Sequence, residues 1–480
     1  MQFFLNNGSL ILYFLLTHRL SFINFDDNFY SVKAMETVYE VLTNINSVLL
    51  IVFSASFIIQ IVYIVLFFVP TKKYKTAQKL HKIAVIIPAH NEEKVIFSSV
   101  KNLLKQTYPK EFFKIYVIAD NCTDGTAERA AEAGAEVIVH SSEKVERKNA
   151  GTAVDYAVKY ILETDGEVEF FVRFDADNIP HPDYLAKMND AFDSGAKAAK
   201  GFNHALNFTQ NAISCISALW YIRDNAFTCR ARSFMHLSQM LCGGGMMFSA
   251  DTVREGFNCY SNSEDAQFTL MLARKKIRPH YVADAIVYED QPSTIGDLFK
   301  RNMRMGSGLF KLFFTDGIKS FAKFFVTYNL SLIDLLLSLV FIPIAVVGVI
   351  WFPFYYVWSV CWLVFSGNIA AAADVGYMIG IILVFAFVVP FVLQAILAYF
   401  VERKKIDVPF KKLVPAFLLF PFYMIVYAIG ITLGVLGLGK WKIAERNVFY
   451  DRGFIKMFEK ACGEKPELAY KNFNLKQLQN

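Results

Sequence analysis

The sequence predicts a doubly wound, mainly parallel α/β domain combined with α-helical transmembrane segments, and three observations predict it. The chain of 480 residues is 55% apolar and 16% aromatic, with 47 Phe and a mean hydropathy of +0.34, too apolar for an ordinary soluble protein. Charged residues concentrate in a mixed polar block from about 71 to 320, with most long apolar runs outside it. Inside that block, short apolar runs alternate with helical patterns and end in polar residues, the signature of a parallel sheet whose strand tips hold ligands.

Taken in chain order, residues 1–70 form the N-terminal membrane segment. The run 10–16, "LILYFLL", is too short to span alone and lacks the basic start of a signal peptide, so an interfacial or tilted helix is expected. From Ser47 to Val69 no charge interrupts the sequence, enough to cross roughly 30 Å of hydrocarbon. Residues 71–295 are the polar domain, with strands expected at 83–89, 113–120, 135–140 and 169–177 and helices near 94–105, 125–133 and 150–163. In 296–326, Phe and Leu alternate with Lys and Arg at helical spacing, as in amphipathic helices lying in the membrane interface.

Apolar runs follow at about 329–366, 373–400 and 413–438 within the membrane region 327–440; the first fits one tilted span or two short ones. The basic loop 401–412 and the basic tail 441–480 both belong on the cytoplasmic side. A single straight span would separate them, so Pro415 and Pro421 are expected to bend the last run into a re-entrant hairpin.

The net charge of +6 sits largely in clusters beside apolar runs, such as Lys72-Lys73-Tyr74-Lys75 and Arg403-Lys404-Lys405. That placement marks the cytoplasmic face of a membrane protein rather than a nucleic-acid surface. Seven scattered cysteines without a CxxC pair exclude a recognisable disulfide framework or zinc site and suit a reducing cytosolic compartment.

The polar residues that carry chemistry fall at strand ends. Pro88, Asn91 and Glu92 close the first strand, and Asp120 the second; alone, each is an ordinary turn former. Arg147-Lys148 precedes a helix, where cations suit a pyrophosphate or merely solvate a turn. Asp175-Ala176-Asp177 ends the fourth strand. By itself it is a polar turn, yet one or two carboxylates suffice for Mg²⁺ or Mn²⁺ carried by a nucleotide diphosphate. Cys242, Gly243 and Gly244 begin a glycine run that lets backbone approach a ligand. Glu264 and Asp265 open a helix, where acids also serve as simple caps. Arg301 and Arg304 share a helix face.

These motifs, in this order over about residues 80–310, resemble the membrane-embedded family 2 glycosyltransferases: cellulose, chitin and hyaluronan synthases and their bacterial relatives. "EDAQFTL" and "QPSTIGDLFKRNMRMGSG" are most similar to bacterial cellulose synthase. The resemblance implies a cytoplasmic GT-A domain and inverting transfer from a UDP-sugar, with UDP-glucose favoured. It implies that Asp120 reads the uracil beside Pro88, Asn91 and Glu92, and that Lys148, Asp175, Arg301 and Arg304 face the donor diphosphate. Asp177 with Asp175 would hold Mg²⁺ or Mn²⁺, and Asp265 beside Glu264 would be the general base. Cys242, Gly243, Gly244 and Met305 would border the acceptor. Arg301 and Met305 depart from the family's Gln and Trp, and no gating-loop signature follows. "KWKIAERN" (440–447) is similar to the basic segment after the last membrane span of such enzymes.

Two expectations follow for activity. The first is a synthase that extends a β-linked polysaccharide, a glucan, and passes it through its own membrane helices. The second is transfer of one sugar to a lipid or lipid-linked acceptor, which Met305 favours. A transporter or scaffold with a spent nucleotide fold is the remaining class, and the presence of both Asp177 and Asp265 argues against it.

Overall fold

The computed structural model describes residues 25–56, 58–141, 149–438 and 450–468. They divide into two compact units, Met1–Ala55 with Ile350–Met378 and Ser56–Val349 with Ile379–Asn480. The expected N-terminal helix at 10–16, Arg147 and Lys148, and the segment 440–447 lie outside the described residues.

In chain order the elements are α1 (Phe25–Ser56), α2 (Ile58–Val65), β1 (Ile83–Ala89), α3 (Glu93–Leu103), β2 (Phe113–Asp120), α4 (Thr126–Ala133) and β3 (Glu136–His140). There follow α5 (Ala150–Thr164), β4 (Phe170–Arg173), β5 (Ile179–Pro180), α6 (Tyr184–Asp193), β6 (Ala198–Ala205), α7 (Ala212–Arg223) and α8 (Arg230–Phe234). The polar domain closes with β7 (Met246–Ser249), α9 (Glu264–Arg274) and β8 (His280–Glu289). Then come α10 (Ile295–Leu312), α11 (Ile318–Thr327), α12 (Leu330–Phe365), α13 (Ile369–Ile382), α14 (Val389–Glu402), α15 (Phe410–Val435) and α16 (Arg452–Cys462).

The strands form one sheet in the order β3-β2-β1-β4-β7-β6-β8-β5. Its first half is parallel, β1 pairing with both β2 and β4, while β7 runs antiparallel between β4 and β6. The sequence expectation therefore holds for β1–β4 and becomes a mixed sheet beyond them. The strands β1 and β2 read as continuous apolar runs because both faces are covered. Ile83, Val85 and Ile87 face a core with Ile96, Val100, Leu185 and Met188, whereas Ala84 and Ile86 face a second core with Val154, Val158 and Phe268. Each fully buried aliphatic side chain contributes about 1.5–3 kcal/mol.

Among the described residues four helices are long and apolar enough to cross a membrane: Ala34–Phe68, Leu330–Phe365, Ile369–Glu402 and Phe410–Val435. In the first unit, Trp351 Nε1 donates to Asn46 Oδ1 at 3.3 Å and Tyr355 hydrogen-bonds Thr43 at 3.1 Å, pairing polar groups that hydrocarbon would leave unsatisfied. The run at 329–366 is one helix, the longer of the two readings it allowed.

The last apolar run corrects an expectation. Pro415 and Pro421 lie inside a single 26-residue helix, not at the bend of a hairpin. Packing holds the helix continuous through the prolines: Ala416, Phe417, Phe420 and Tyr423 of α15 pack in one core with Leu219 and Ile222 of α7 and Ala395 and Ala398 of α14. Both flanks nevertheless return to the polar domain. Before α15, Glu402 pairs with Arg230 at 2.7 Å; after it, the Asp451 amide donates to the Leu206 carbonyl at 2.9 Å. The amphipathic segment 294–325 forms α10 and α11, joined by a π turn at Phe313–Gly317.

Candidate active site

Because β1, β2 and β4 are parallel, their carboxyl ends share one edge of the sheet, and two acidic centres stand there. The first is at Asp120, the last residue of β2. Its Oδ1 accepts from Asn121 Nδ2 and from His140 Nδ1, both at 2.7 Å, and its carbonyl accepts from His90 Nδ1 at 2.7 Å. Asn91 and Asn121 turn the chain here with φ of 56° and 50°, left-handed conformations that asparagine tolerates better than most residues. The Asn91 side chain accepts from the Thr123 amide at 2.8 Å, and the Glu92 amide donates to Thr126 Oγ1 at 2.9 Å. Pro88 of β1 stands in register with Ile118 of β2. The residues expected around the base thus form one connected turn system.

The second centre gathers residues far apart in sequence. Asp175 lies two positions beyond the end of β4, not within the strand as the apolar run suggested. Arg173, the last residue of β4, is 2% exposed; its Nη2 donates to Asp175 Oδ1 at 3.1 Å and forms an ion pair with Glu264 Oε1 at 2.9 Å. Nε and Nη1 of the same guanidinium are buried without a hydrogen-bond partner. Sequence reading missed Arg173; its one signal was a lone cation in an apolar strand directly before the acid pair.

Glu264 and Asp265 occupy the first turn of α9, where the helix dipole stabilises negative charge, and Asp265 Oδ1 accepts from the Ala266 amide at 2.7 Å. Burial first, and then the neighbouring Glu264 charge, raise the Asp265 carboxyl to about 6 against the opposing pull of Arg173. A carboxylate in that range is suited to accept a proton near neutral pH. The glycine run lines the same carboxylate: a Cβ on Gly243 would stand 2.7 Å from Asp175 Oδ2, so a larger residue there would displace it. Gly244 faces the amides of Asn178 and Asn203, and Cys242 Sγ lies 3.4 Å from Asn203 Oδ1. Burial pushes the Cys242 thiol up to about 11, which makes it a neutral wall rather than a nucleophile.

Asp177 Oδ1 accepts from Asn178 Nδ2 at 3.3 Å. Asp175 and Asp177 present hard oxygen donors appropriate to Mg²⁺ or Mn²⁺. Among the described residues no set of three or more such side chains forms a cage, and this pair fits a cation whose remaining ligands come from a diphosphate and water. Neither arginine of α10 forms an ion pair with Asp175 or Asp177 among the described residues. Arg301 donates to Gln291 Oε1 at 2.8 Å and to Tyr423 at 3.3 Å, so its guanidinium is engaged with α15. Arg304 is exposed and has no carboxylate partner among the described residues; Met305, half-buried, lies beside it. The helix itself is tied to the acid loop, since a Cβ on Gly308 would stand 2.3 Å from Ser263 Oγ.

Residues 81–308 match the family model "Glycosyltransferase like family 2". By that match this segment is similar to the glycosyltransferase family 2 domains. The matched segment contains both acidic centres and the glycine wall. Among curated proteins, a probable glycosyltransferase of Bacillus subtilis is 34% identical over 104 residues, 22% of this chain and 24% of that protein. A dolichyl N-acetyl-alpha-D-glucosaminyl phosphate 3-beta-D-2,3-diacetamido-2,3-dideoxy-beta-D-glucuronosyltransferase of Methanococcus voltae is 23% identical over 213 residues, 38% of this chain and 64% of that one. The chain spans less than two thirds of the length of the curated relatives it matches. Among solved structures, a mannosyltransferase of Pyrobaculum calidifontis in complex with GDP-Man and Mn²⁺ aligns over 82% of this chain and 97% of its own at 15% identity, with a TM-score of 0.49. Glucosyl-3-phosphoglycerate synthase of Mycobacterium tuberculosis aligns over 48% and 82% at 17% identity, with a TM-score of 0.33.

Proposed function

We propose that the chain is an inverting, divalent-metal-dependent transferase that moves one sugar from a nucleoside diphosphate to a lipid-linked acceptor at the membrane. One observation carries the choice of acceptor: α10 and α15 meet backbone to backbone. A Cβ on Gly434 would stand 2.1 Å from the Met303 carbonyl oxygen, and one on Gly306 2.7 Å from Ile431 Cα. Helices in such contact leave no path for a polymer between them, and Met305 offers no aromatic plane on which a glycan terminus stacks. The lipid-linked name of the Methanococcus relative supports the same reading.

In the proposed reaction Asp120 contacts the base, with Pro88, Asn91 and Glu92 forming its turn. Asp177 and Asp175 would hold Mg²⁺ or Mn²⁺, which supplies charge neutralisation to a departing diphosphate. Lys148 and Arg304 are the cations proposed to face that diphosphate. Asp265 takes the proton of the acceptor hydroxyl as its oxygen attacks the anomeric carbon. Glu264 raises the basicity of Asp265, and Arg173 holds Glu264 and Asp175 in register. Cys242, Gly243 and Gly244 form the wall beside the acceptor. Arg301 fixes α10 on α15 through Tyr423.

The polysaccharide-synthase reading is retained on a different observation. Trp220 lies with its ring 4.9 Å from that of Tyr427; both rings are half-buried and of the kind sugars stack on, with Tyr423 buried behind them. The test is UDP release by bilayer-reconstituted protein, supplied with individual UDP-sugars and Mn²⁺, with and without a polyprenyl-phosphate-linked sugar. Release that rises with the lipid supports single transfer. Release indifferent to the lipid contradicts it, and no release from any sugar would remove the enzyme reading itself.

A further inference from the structure

Asp120 is the proposed contact for the base, and its two oxygens are not equivalent. Oδ1 already accepts from Asn121 Nδ2 and from His140 Nδ1, each at 2.7 Å. Among the described residues Oδ2 takes no hydrogen bond. The arrangement is braced from several sides. Asp120 and His140 are register partners across β2 and β3, and the Asn121 amide donates to the His140 carbonyl at 2.8 Å. The His140 ring lies on that of Tyr156 from α5, with centroids 4.5 Å apart and planes inclined by 34°. The carboxylate and imidazole side chains are only 12% and 16% exposed, so neither rotates freely away from the other.

We propose that His140 sets which nucleobase the site takes, by occupying one oxygen of Asp120 and leaving a single acceptor that suits uracil and not guanine. The inference rests on Asp120 being the base contact in the proposed function. Uracil offers one ring N–H between two carbonyls, and one carboxylate oxygen satisfies it. Guanine offers two N–H donors side by side, which a carboxylate satisfies only with both oxygens, as it does a forked guanidinium. Here the second guanine donor meets an oxygen already filled by two donors and is buried without a partner. An unpaired buried donor costs enough to weaken binding by about tenfold or more.

Isothermal titration of the full chain in detergent, with Mn²⁺ and either UDP or GDP, tests this. UDP is expected to bind at least about tenfold more tightly than GDP. In His140→Ala the freed oxygen admits the second guanine donor, and the ratio is expected to fall toward one. His140→Asn, whose amide N–H can fill the same oxygen, is expected to keep the preference, a result that a merely structural histidine would not give. Should His140→Ala fail to fold, Tyr156→Leu, which removes the ring bracing the imidazole, carries the same expected narrowing. Equal or tighter GDP binding in the wild type, or a preference unchanged in the folded variants, overturns the role of His140 while leaving a nucleotide site in place. Binding of neither nucleotide overturns the proposed function together with this inference.

Discussion

The two acidic centres on the carboxyl edge of the sheet are built in opposite ways. Asp120 is held by an amide and an imidazole that come from the two residues adjacent to it along and across the strands. Asp175, Glu264 and Asp265 come from segments some ninety residues apart, and one buried guanidinium, itself only partly hydrogen-bonded, stands among them. The first centre is assembled by local turn chemistry and hydrogen bonds. The second exists only in the finished fold and is governed by charge, so substitutions and pH should act on it far more strongly than on the first.

The contrast breaks most readily at Asp265. Asp265→Asn is expected to lower turnover by about 10²–10⁴-fold while UDP affinity, read at the other centre, stays within a factor of about two by calorimetry; substantial turnover would remove the assigned base. Next in size, Arg173→Met should destabilise the fold by about 3–5 kcal/mol, because it leaves Glu264 buried beside Asp265 without a counter-charge. His140→Ala, which deletes one hydrogen bond, should cost only about 1 kcal/mol. Denaturant unfolding that gave the two equal cost would erase the difference between the centres. Gly243→Ala, whose methyl would displace the Asp175 carboxylate, is expected to reduce kcat/KM by up to about 10²-fold with UDP affinity less affected; wild-type kinetics would show that Asp175 has no fixed position to lose.

The pH dependence is the mildest test. With the Asp265 carboxyl raised to about 6, its base form is lost as pH falls through that value. The kcat/KM profile should therefore drop by about tenfold per unit below it and level off above it. A profile flat down to pH 5 would assign proton transfer to another group.

What the sequence made legible follows the same division. The strands β1–β4 and helices α3–α5 were readable because each is a local pattern, and Asp120, Asn91 and Glu92 stand where those patterns end. The strands β5–β8 were not. β7 begins directly after three glycines and pairs antiparallel with β4, and β6 is interrupted by a bulge between Lys200 and Phe202, so neither shows a clean period. Arg173 was missed because its partner Glu264 is distant in the chain. In α15 the prolines signalled a bend, yet packing on α7 and α14 keeps the helix continuous. The engagement of Arg301 with Tyr423 was invisible for the same reason: one short motif does not report which helix will lie across it.

The proposed reaction adds one sugar per acceptor. It is tested most directly by the mass of the product formed when bilayer-reconstituted protein is given a UDP-sugar, Mn²⁺ and a polyprenyl-phosphate-linked acceptor. The expected product is acceptor increased by a single sugar residue, unchanged on longer incubation. A ladder of products, or material of high molecular weight, would contradict it and return the chain to the polysaccharide synthases.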